Sequence, residues 1–200
     1  MKLILGSASP RRREILELLN LQFSVATSQV NEDKMQKQMM EATPQEVVRH
    51  LSLAKSQAVA RESGTGLVLG ADTIVVLDNQ IFGKPADEAS VRQMMMTFSG
   101  KVHQVMTGVT ITDAVKNHSI SLMAVTDVAF REITADELNW YVDHAHYRDK
   151  AGGYAVQEHA ALFVAGIHGC YYNVVGLPVQ ETLSLLTLMG YSWKDFQKRD

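Results

Sequence analysis

A single cysteine, Cys170, stands in 200 residues, so no disulfide can close within the chain and no zinc knuckle can be built from paired cysteines. That scarcity suits a reducing compartment. No segment approaches the roughly 18 apolar residues of a membrane span. The opening run Leu3-Ile4-Leu5 breaks off at Gly6 and Ser7, too soon for the apolar region of a secretory signal. A cytoplasmic location is expected, and the sequon Asn117-His118-Ser119 carries no meaning without secretion. Excess charge is missing as well. Nineteen Lys and Arg against 22 Asp and Glu leave a net −3, which gives no general attraction to nucleic acid or to an anionic membrane. Neither is expected as a partner, and any anion must be held by a local site. There is no Walker A sequence. The glycines between Gly64 and Gly70 have the wrong spacing for a dinucleotide fingerprint and precede a strand instead of following one. His144 and His146 are two apart and would not share a helix face, so the histidines form no metal pattern. Internal repeats, low-complexity tracts and Pro/Ser-rich linkers are absent.

What is present is an ordinary globular composition, 46% hydrophobic and 20% charged, expected to fold throughout as one domain or one elongated unit of two lobes. Lys2 to Gly6 reads as a short buried strand. Ser9 and Pro10 then supply an N-cap and first-turn proline for a helix over Arg11 to Leu19. Thr43-Pro44-Gln45-Glu46 is a capping box, and Val47, Val48, Leu51, Ala54 and Ala58 continue at helical spacing to about Glu62. Leu67 to Leu77 reads as a central strand that turns at Asp78-Asn79 into a second strand near Ile81. A helix over Glu88 to Phe98, strands over Val102 to Thr112 and Ser121 to Phe130, and a helix over Ala135 to His144 follow. A strand over Ala161 to Ile167 and a helix from Pro178 that Gly190 terminates complete the chain. The later part reads as more antiparallel than parallel.

Three arginines, Arg11, Arg12 and Arg13, occupy the first turn of a helix, where the positive end of the helix dipole disfavours cations and free N–H groups favour anions. Ile15, Leu16, Leu18 and Leu19 face the core, which puts Arg11 and Arg12 on the core side of the helix mouth and turns Arg13 to solvent. Arginine forks suit phosphate; the alternative is a merely basic surface turn. Lys55 starts from the apolar face of its own helix and needs a partner unless it snorkels. Ser52-Leu53-Ala54-Lys55 matches the Ser-x-x-Lys of serine acylases, but the companion motifs are lacking. Asp72 interrupts an apolar strand, where an unpaired carboxylate is expensive. It must face a cation, a metal or a cleft, or else form a purely structural ion pair. Gly70 and Ala71 beside it leave room for a close approach. Glu32 and Asp33 read as solvated residues of a polar segment. Gly83-Lys84-Pro85 and Asp149-Lys150-Ala151-Gly152-Gly153 each join a lysine to permissive backbone, individually nonspecific. Met94, Met95 and Met96 read as core filling.

In this order the segments Gly6-Ser7-Ala8-Ser9-Pro10-Arg11-Arg12, Gly70-Ala71-Asp72-Thr73, Gly83-Lys84-Pro85, Ser99-Gly100 with His103, Thr107-Gly108, Lys150-Ala151-Gly152-Gly153-Tyr154 and Val175-Gly176-Leu177-Pro178 resemble the Maf family of nucleotide pyrophosphatases along nearly the whole chain. The resemblance implies an α/β fold related to that of the inosine triphosphate pyrophosphatases, with a mixed, elongated central sheet, flanking helices and a cleft between two lobes. It also implies a cytoplasmic homodimer dependent on a divalent metal, Mg²⁺ or Mn²⁺. The run Lys150 to Gln157 is similar to the branch that hydrolyses dTTP and UTP; the branch acting on 7-methyl-GTP carries glutamate at Gln157. By this resemblance Arg11, Thr73 and Gln157 select the base, Asp72 accepts a proton, and Ser7, Arg12, Glu32, Lys55 and Lys84 complete the site. One departure is Glu158-His159 after Gln157, where that branch has glycine next.

The expected chemistry is hydrolysis of a nucleoside triphosphate to monophosphate and pyrophosphate, mostly by positioning and charge stabilisation. Arg11, Arg12, Lys55 and Lys84 would hold the phosphate chain, and Glu32 and Asp72 would organise the metal and activate water. Whether Asp72 acts directly or through the metal is open, since one carboxylate cannot be both tight ligand and free base. The rival from another class is a nonenzymatic nucleotide-binding regulator of cell division, which would need the cations but not both carboxylates. Within the enzymes, the runner-up is a pyrophosphatase for 7-methyl-GTP or other noncanonical nucleotides.

Overall fold

The computed structural model describes residues 1–198, apart from the side chain of Asp33. Its elements in order are β1 (Leu3–Leu5), α1 (Pro10–Leu18), β2 (Ser24–Val25), α2 (Glu32–Gln38), α3 (Pro44–Ser63), β3 (Leu67–Leu77), β4 (Gln80–Phe82), α4 (Glu88–Phe98), β5 (Val102–Asp113), β6 (His118–Phe130), α5 (Ala135–His144), β7 (Val164–His168), α6 (Tyr171–Val175) and α7 (Val179–Leu188). The helix starts follow the capping chemistry of the sequence. The Ser9 hydroxyl accepts from the Arg12 N–H ahead of α1, and reciprocal boxes at Thr43, Asp87 and Thr134 open α3, α4 and α5.

The sheet is mixed, in the order β2-β1-β3-β5-β6-β7, with β4 also on β3. β1 runs parallel to β2 and β3, and all later pairings are antiparallel. β3 is the central member. One edge pairs with β5 from Leu67 to Val76. The other edge is shared, with β1 beside Leu67–Leu69 and β4 beside Val75–Leu77. Between them, residues 70–74 have no strand on that side among the described residues, and side chains from both faces of β3 can reach one gap.

The odd-numbered residues of β3 share one face, and their position along the strand divides the apolar interior beneath it. Leu67, Leu69 and Ala71 join Leu3, Leu5 and Leu16 and the α7 residues Leu185 and Leu186 in one cluster, while Val75 and Leu77 join Val91, Met95, Phe98, Leu138 and Tyr141 in another. Thr73, on the same face, falls between the two. α3 lies across the opposite face. It comes so close that a Cβ on Gly70 would stand 2.6 Å from the Ser52 carbonyl oxygen, and one on Gly108 would stand 2.5 Å from that of Val48. The space beside Asp72 admits backbone, and the approach brings Lys55 to the strand.

Five segments differ from expectation. Residues 159–162 form a 3-10 turn, and β7 begins only at Val164, where pairing to Phe130 starts beside a register shift. The polar segment containing Glu32 is the helix α2, started by Asn31, whose side chain accepts from the Lys34 N–H. The short β2 and α6 gave no periodic signal. Of the methionine trio, Met95 is fully buried and Met96 is half exposed.

Gly70→Ala should destabilise the protein by about 3 kcal/mol, because the added methyl meets helix backbone that cannot rotate away. An unchanged midpoint in urea unfolding would show that α3 does not press on β3 at this point.

Candidate active site

The gap in the β3 edge opens into a cleft of about 370 Å³, walled on one side by residues 6–12 and on the other by the segment from Asp149 to Gln157. All nine residues singled out in the sequence, Ser7, Arg11, Arg12, Glu32, Lys55, Asp72, Thr73, Lys84 and Gln157, line it.

At its floor Lys55 lies buried, its Nζ against Asp72 Oδ1 and 2.9 Å from Glu32 Oε1. Lys84, mostly exposed, reaches from the loop after β4 to within 3.9 Å of Glu32 Oε2. Burial raises the proton affinity of the Asp72 carboxyl, and Lys55 and Arg12 only partly offset it, so its pKa stands above the ordinary carboxylate value. The balance at Glu32 is opposite. Burial again raises its pKa, but attraction to Lys55, Lys84 and Arg12 outweighs this and leaves it lowered. Two carboxylates on one ammonium thus hold protons with unequal strength.

Arg12 enters from the other face of β3 through the first turn of α1. Its Nε donates to the Gly176 carbonyl at 2.8 Å, one terminal nitrogen to Ser7 Oγ at 3.0 Å and the other to Thr73 Oγ1 at 3.1 Å. Thr107 donates to the Asn173 carbonyl at 3.1 Å, so its oxygen is free to accept from Thr73 at 2.9 Å, and Thr73 can accept from Arg12. Burial lowers the Arg12 pKa despite attraction from Asp72 and Glu32. Arg11 sits at the rim and reaches Asp149 Oδ2 across the cleft at 3.0 Å. Arg13 points away and pairs with Glu17 on its own helix, as helical geometry predicts.

The far wall is a turn built on two glycines, Gly152 (φ 67°) and Gly153 (φ 74°). The Gly152 N–H donates to the Gly83 carbonyl at 2.9 Å, which joins this turn to the Lys84 loop. Tyr154 lines the cleft, and its hydroxyl meets Nε2 of the buried His103 at 2.7 Å within a cluster of Phe82, Phe98 and Phe130. Sequence reasoning passed over the cleft residues Thr27 and Ser28, the pairing of Asp149 with Arg11, and Asn173. The last was discoverable: a buried amide between Tyr171-Tyr172 and Val174-Val175 is the same anomaly that marks Asp72, and its Nδ2 donates to the Val105 carbonyl and Thr126 Oγ1, both at 2.9 Å. No helix among the described residues is long and apolar enough to cross a membrane.

Fold and cleft define a mixed α/β protein with a charged site of small-molecule size on the interrupted edge of its sheet. The chain belongs to the Maf family: the model for Maf-like proteins matches residues 2–189. A protein of Symbiobacterium thermophilum is 41% identical over 190 residues, which are 95% of each chain. One of Desulforamulus reducens is 42% identical over 94% of this chain and 96% of its own, and one of Moorella thermoacetica is 42% identical over 94% and 95%. All three are named dTTP/UTP pyrophosphatase.

Arg12→Ala should cost about 3 kcal/mol in urea unfolding, since it strips three acceptors of a buried charged donor. Arg13→Ala, on the same turn, should stay within about 0.5 kcal/mol; equal losses would show that the buried fork contributes nothing beyond surface charge. For His103, burial pulls the pKa down to about 4 from 6.5. The folded protein keeps it neutral where the unfolded chain binds a proton, so the associated stability is complete above about pH 6.5 and lost as pH falls towards 4. Wild type should lose roughly 3 kcal/mol more over that window than His103→Gln, and parallel stability-pH curves would remove His103 as the cause.

Proposed function

We propose that this chain is a nucleoside triphosphate pyrophosphatase that hydrolyses dTTP and UTP to the monophosphate and pyrophosphate. The observation that carries the reading is Lys55 held between Asp72 and Glu32 at the floor of a cleft that also presents Arg11, Arg12 and Lys84. The names of the relatives, dTTP/UTP pyrophosphatase, support the same substrates.

The cations take the phosphate chain. Arg12 presents a fork already fixed by Ser7, Thr73 and Gly176, Lys84 can swing in from solvent, and Arg11 closes the rim. A phosphate oxygen that draws Lys55 away releases both carboxylates. Asp72, the more deeply buried and the one with the raised proton affinity, takes the proton from the attacking water. The water oxygen bonds to the α-phosphorus, the bond from that phosphorus to its bridging oxygen breaks, and pyrophosphate leaves with the bonding pair.

A divalent cation fits this donor set only in company with substrate. Among the described residues no three His, Cys, Asp or Glu side chains form a cage, but two carboxylates converge on one cationic point, and Mg²⁺ is commonly held by one or two carboxylates together with substrate phosphates and waters. Glu32, more exposed than Asp72, would be its principal ligand with Asp72 beside it. The ion would neutralise charge on the phosphates and the leaving pyrophosphate. Gln157 on the cleft wall would read the base, because an amide both donates and accepts and can meet the alternating carbonyl and N–H groups of uracil or thymine. The family resemblance also supports a cytoplasmic homodimer.

The test is pyrophosphate release from a panel of dTTP, UTP, CTP, ATP, GTP and 7-methyl-GTP with Mg²⁺ or Mn²⁺. dTTP and UTP should have the highest kcat/KM, and Asp72→Asn should lower it at least about a hundredfold while the chain stays folded. Nucleotide binding without turnover would make the protein a nonenzymatic sensor. Preference for 7-methyl-GTP would put it in the other branch, and near-parental turnover by Asp72→Asn would remove that residue from the mechanism.

A further inference from the structure

Lys150 carries a buried ammonium, its side chain 5% exposed, and each of its three N–H donors has an acceptor to serve. Nζ donates to the His146 carbonyl and, at 2.9 Å, to Asp149 Oδ1, and it lies 3.3 Å from Glu158 Oε2. Asp149 turns its other oxygen across the cleft to Arg11. Burial raises the Asp149 pKa, but hydrogen bonds from Lys150 and Arg11 outweigh it and hold the carboxyl at about 2, so it stays ionised between its two cations. Charges therefore alternate from Glu158 through Lys150 and Asp149 to Arg11, from one wall of the cleft to the other. At the Glu158 end, the Glu158 N–H donates to the Ala155 carbonyl at 3.1 Å. Val156 and Gln157 are thus the central pair of a turn whose closing residue is tethered to Lys150.

We infer that Glu158 is a positioning residue for substrate recognition: through Lys150 and Asp149 it fixes the Arg11 guanidinium that closes the rim on the phosphate chain, and through the turn it fixes the Gln157 amide that reads the base. The inference rests on the reading of this cleft as a site for dTTP and UTP. Glu158 stands where the resembling branch has glycine, which has no side chain to reach Lys150. Glu158 itself is about one-third exposed and directs its carboxylate to Lys150, so it braces the base wall from behind. Without that charge, the buried ammonium keeps a single carboxylate, Asp149, which it then shares less well with Arg11.

The experiment is steady-state pyrophosphate release by the full chain with Mg²⁺ and dTTP, UTP or CTP. Glu158→Gln should raise KM for dTTP and UTP about fivefold to tenfold, leave kcat within about twofold, and shrink the preference over CTP by about tenfold. Glu158→Asp, which keeps the charge, should recover part of each effect. Asp149→Asn should raise KM as well, and the double variant should show less than the product of the single effects, as members of one network do. Unchanged KM and preference in Glu158→Gln, or effects that multiply in the double variant, overturn the inference. So does a uniform fall in kcat with a lowered Tm, the mark of a merely structural role. Gln157→Ala separates the two levels of reading. If it abolishes base preference while Glu158→Gln does not, only the positioning role fails; if it leaves base preference intact, the assignment of the base wall fails and the role of Glu158 with it.

Discussion

The ammonium of Lys55, buried against Asp72 and close to Glu32, is the interaction on which the geometry of the cleft depends. An unpaired charge at that depth would cost several kcal/mol, and a buried pair is favourable only where its geometry is tightly held. Three independent features hold it. Gly70 lets α3 lie directly on β3, the interrupted strand edge leaves Asp72 facing a gap, and Asn31 starts α2 so that Glu32 falls at its first turn. None of these serves packing alone. A side chain at position 70 would push α3 off the strand and carry Lys55 away from Asp72, and a continuous strand partner would satisfy more backbone but fill the gap that Asp72 faces.

The polar character of the interface around this pair follows from the same constraint. Ser52 bonds to Thr110 at 2.9 Å, and Thr110 in turn to Ser121 at 2.7 Å. One helical turn on, Ser56 bonds to Thr112 at 2.7 Å and to the Val68 carbonyl at 2.8 Å. A helix brought this close to a sheet has room for little more than a hydroxyl between backbones, and each hydroxyl buried there must find a partner. The ladders tie α3 to β3, β5 and β6, which fixes the register of Lys55 relative to Asp72. Stability and site geometry thus come from the same short contacts.

Much of this was legible in the sequence because it took the form of anomalies. Asp72 in an apolar strand, Lys55 on an apolar helix face and Arg11 and Arg12 at the positive end of a helix each signal a partner elsewhere, and the structure brings these four to one cleft. The bounds expected for β3, α4 and α5 match the structure, and β4 falls where a second strand was expected near Ile81. Glu32 was harder: α2 is polar on all sides and has no apolar stripe to betray it, so its Asn31 cap was the only local signal. The 3-10 turn before β7 was hidden for the opposite reason, since His159-Ala160-Ala161-Leu162-Phe163 reads equally well as the start of a strand, and only pairing with β6 decides where the strand begins. The pairings of Asp149 and Glu158 could not be read. Their roles depend on Lys150 being buried, and burial of a lysine in a glycine-rich loop has no signature in local pattern.

The cations that line the cleft are already engaged within the protein: Arg11 with Asp149, Arg12 with Ser7, Thr73 and Gly176, Lys55 with Asp72 and Glu32, Lys84 with Glu32, and Lys150 with Asp149 and Glu158. Binding is therefore an exchange of partners and not the filling of an open positive pocket, which agrees with a chain whose net charge is −3. An exchange of this kind favours ligands that replace several contacts at once. Under the proposed function a triphosphate would meet the cations of the cleft together, whereas either product would meet only part of the set. On that proposal Asp149 and Glu32 would compete again for their cations as the phosphate chain is cut, and the ion pairs seen in the cleft would favour release of the products. Carboxylates that weaken ground-state binding would thereby serve turnover, a role that a protein meant only to hold nucleotide would not require.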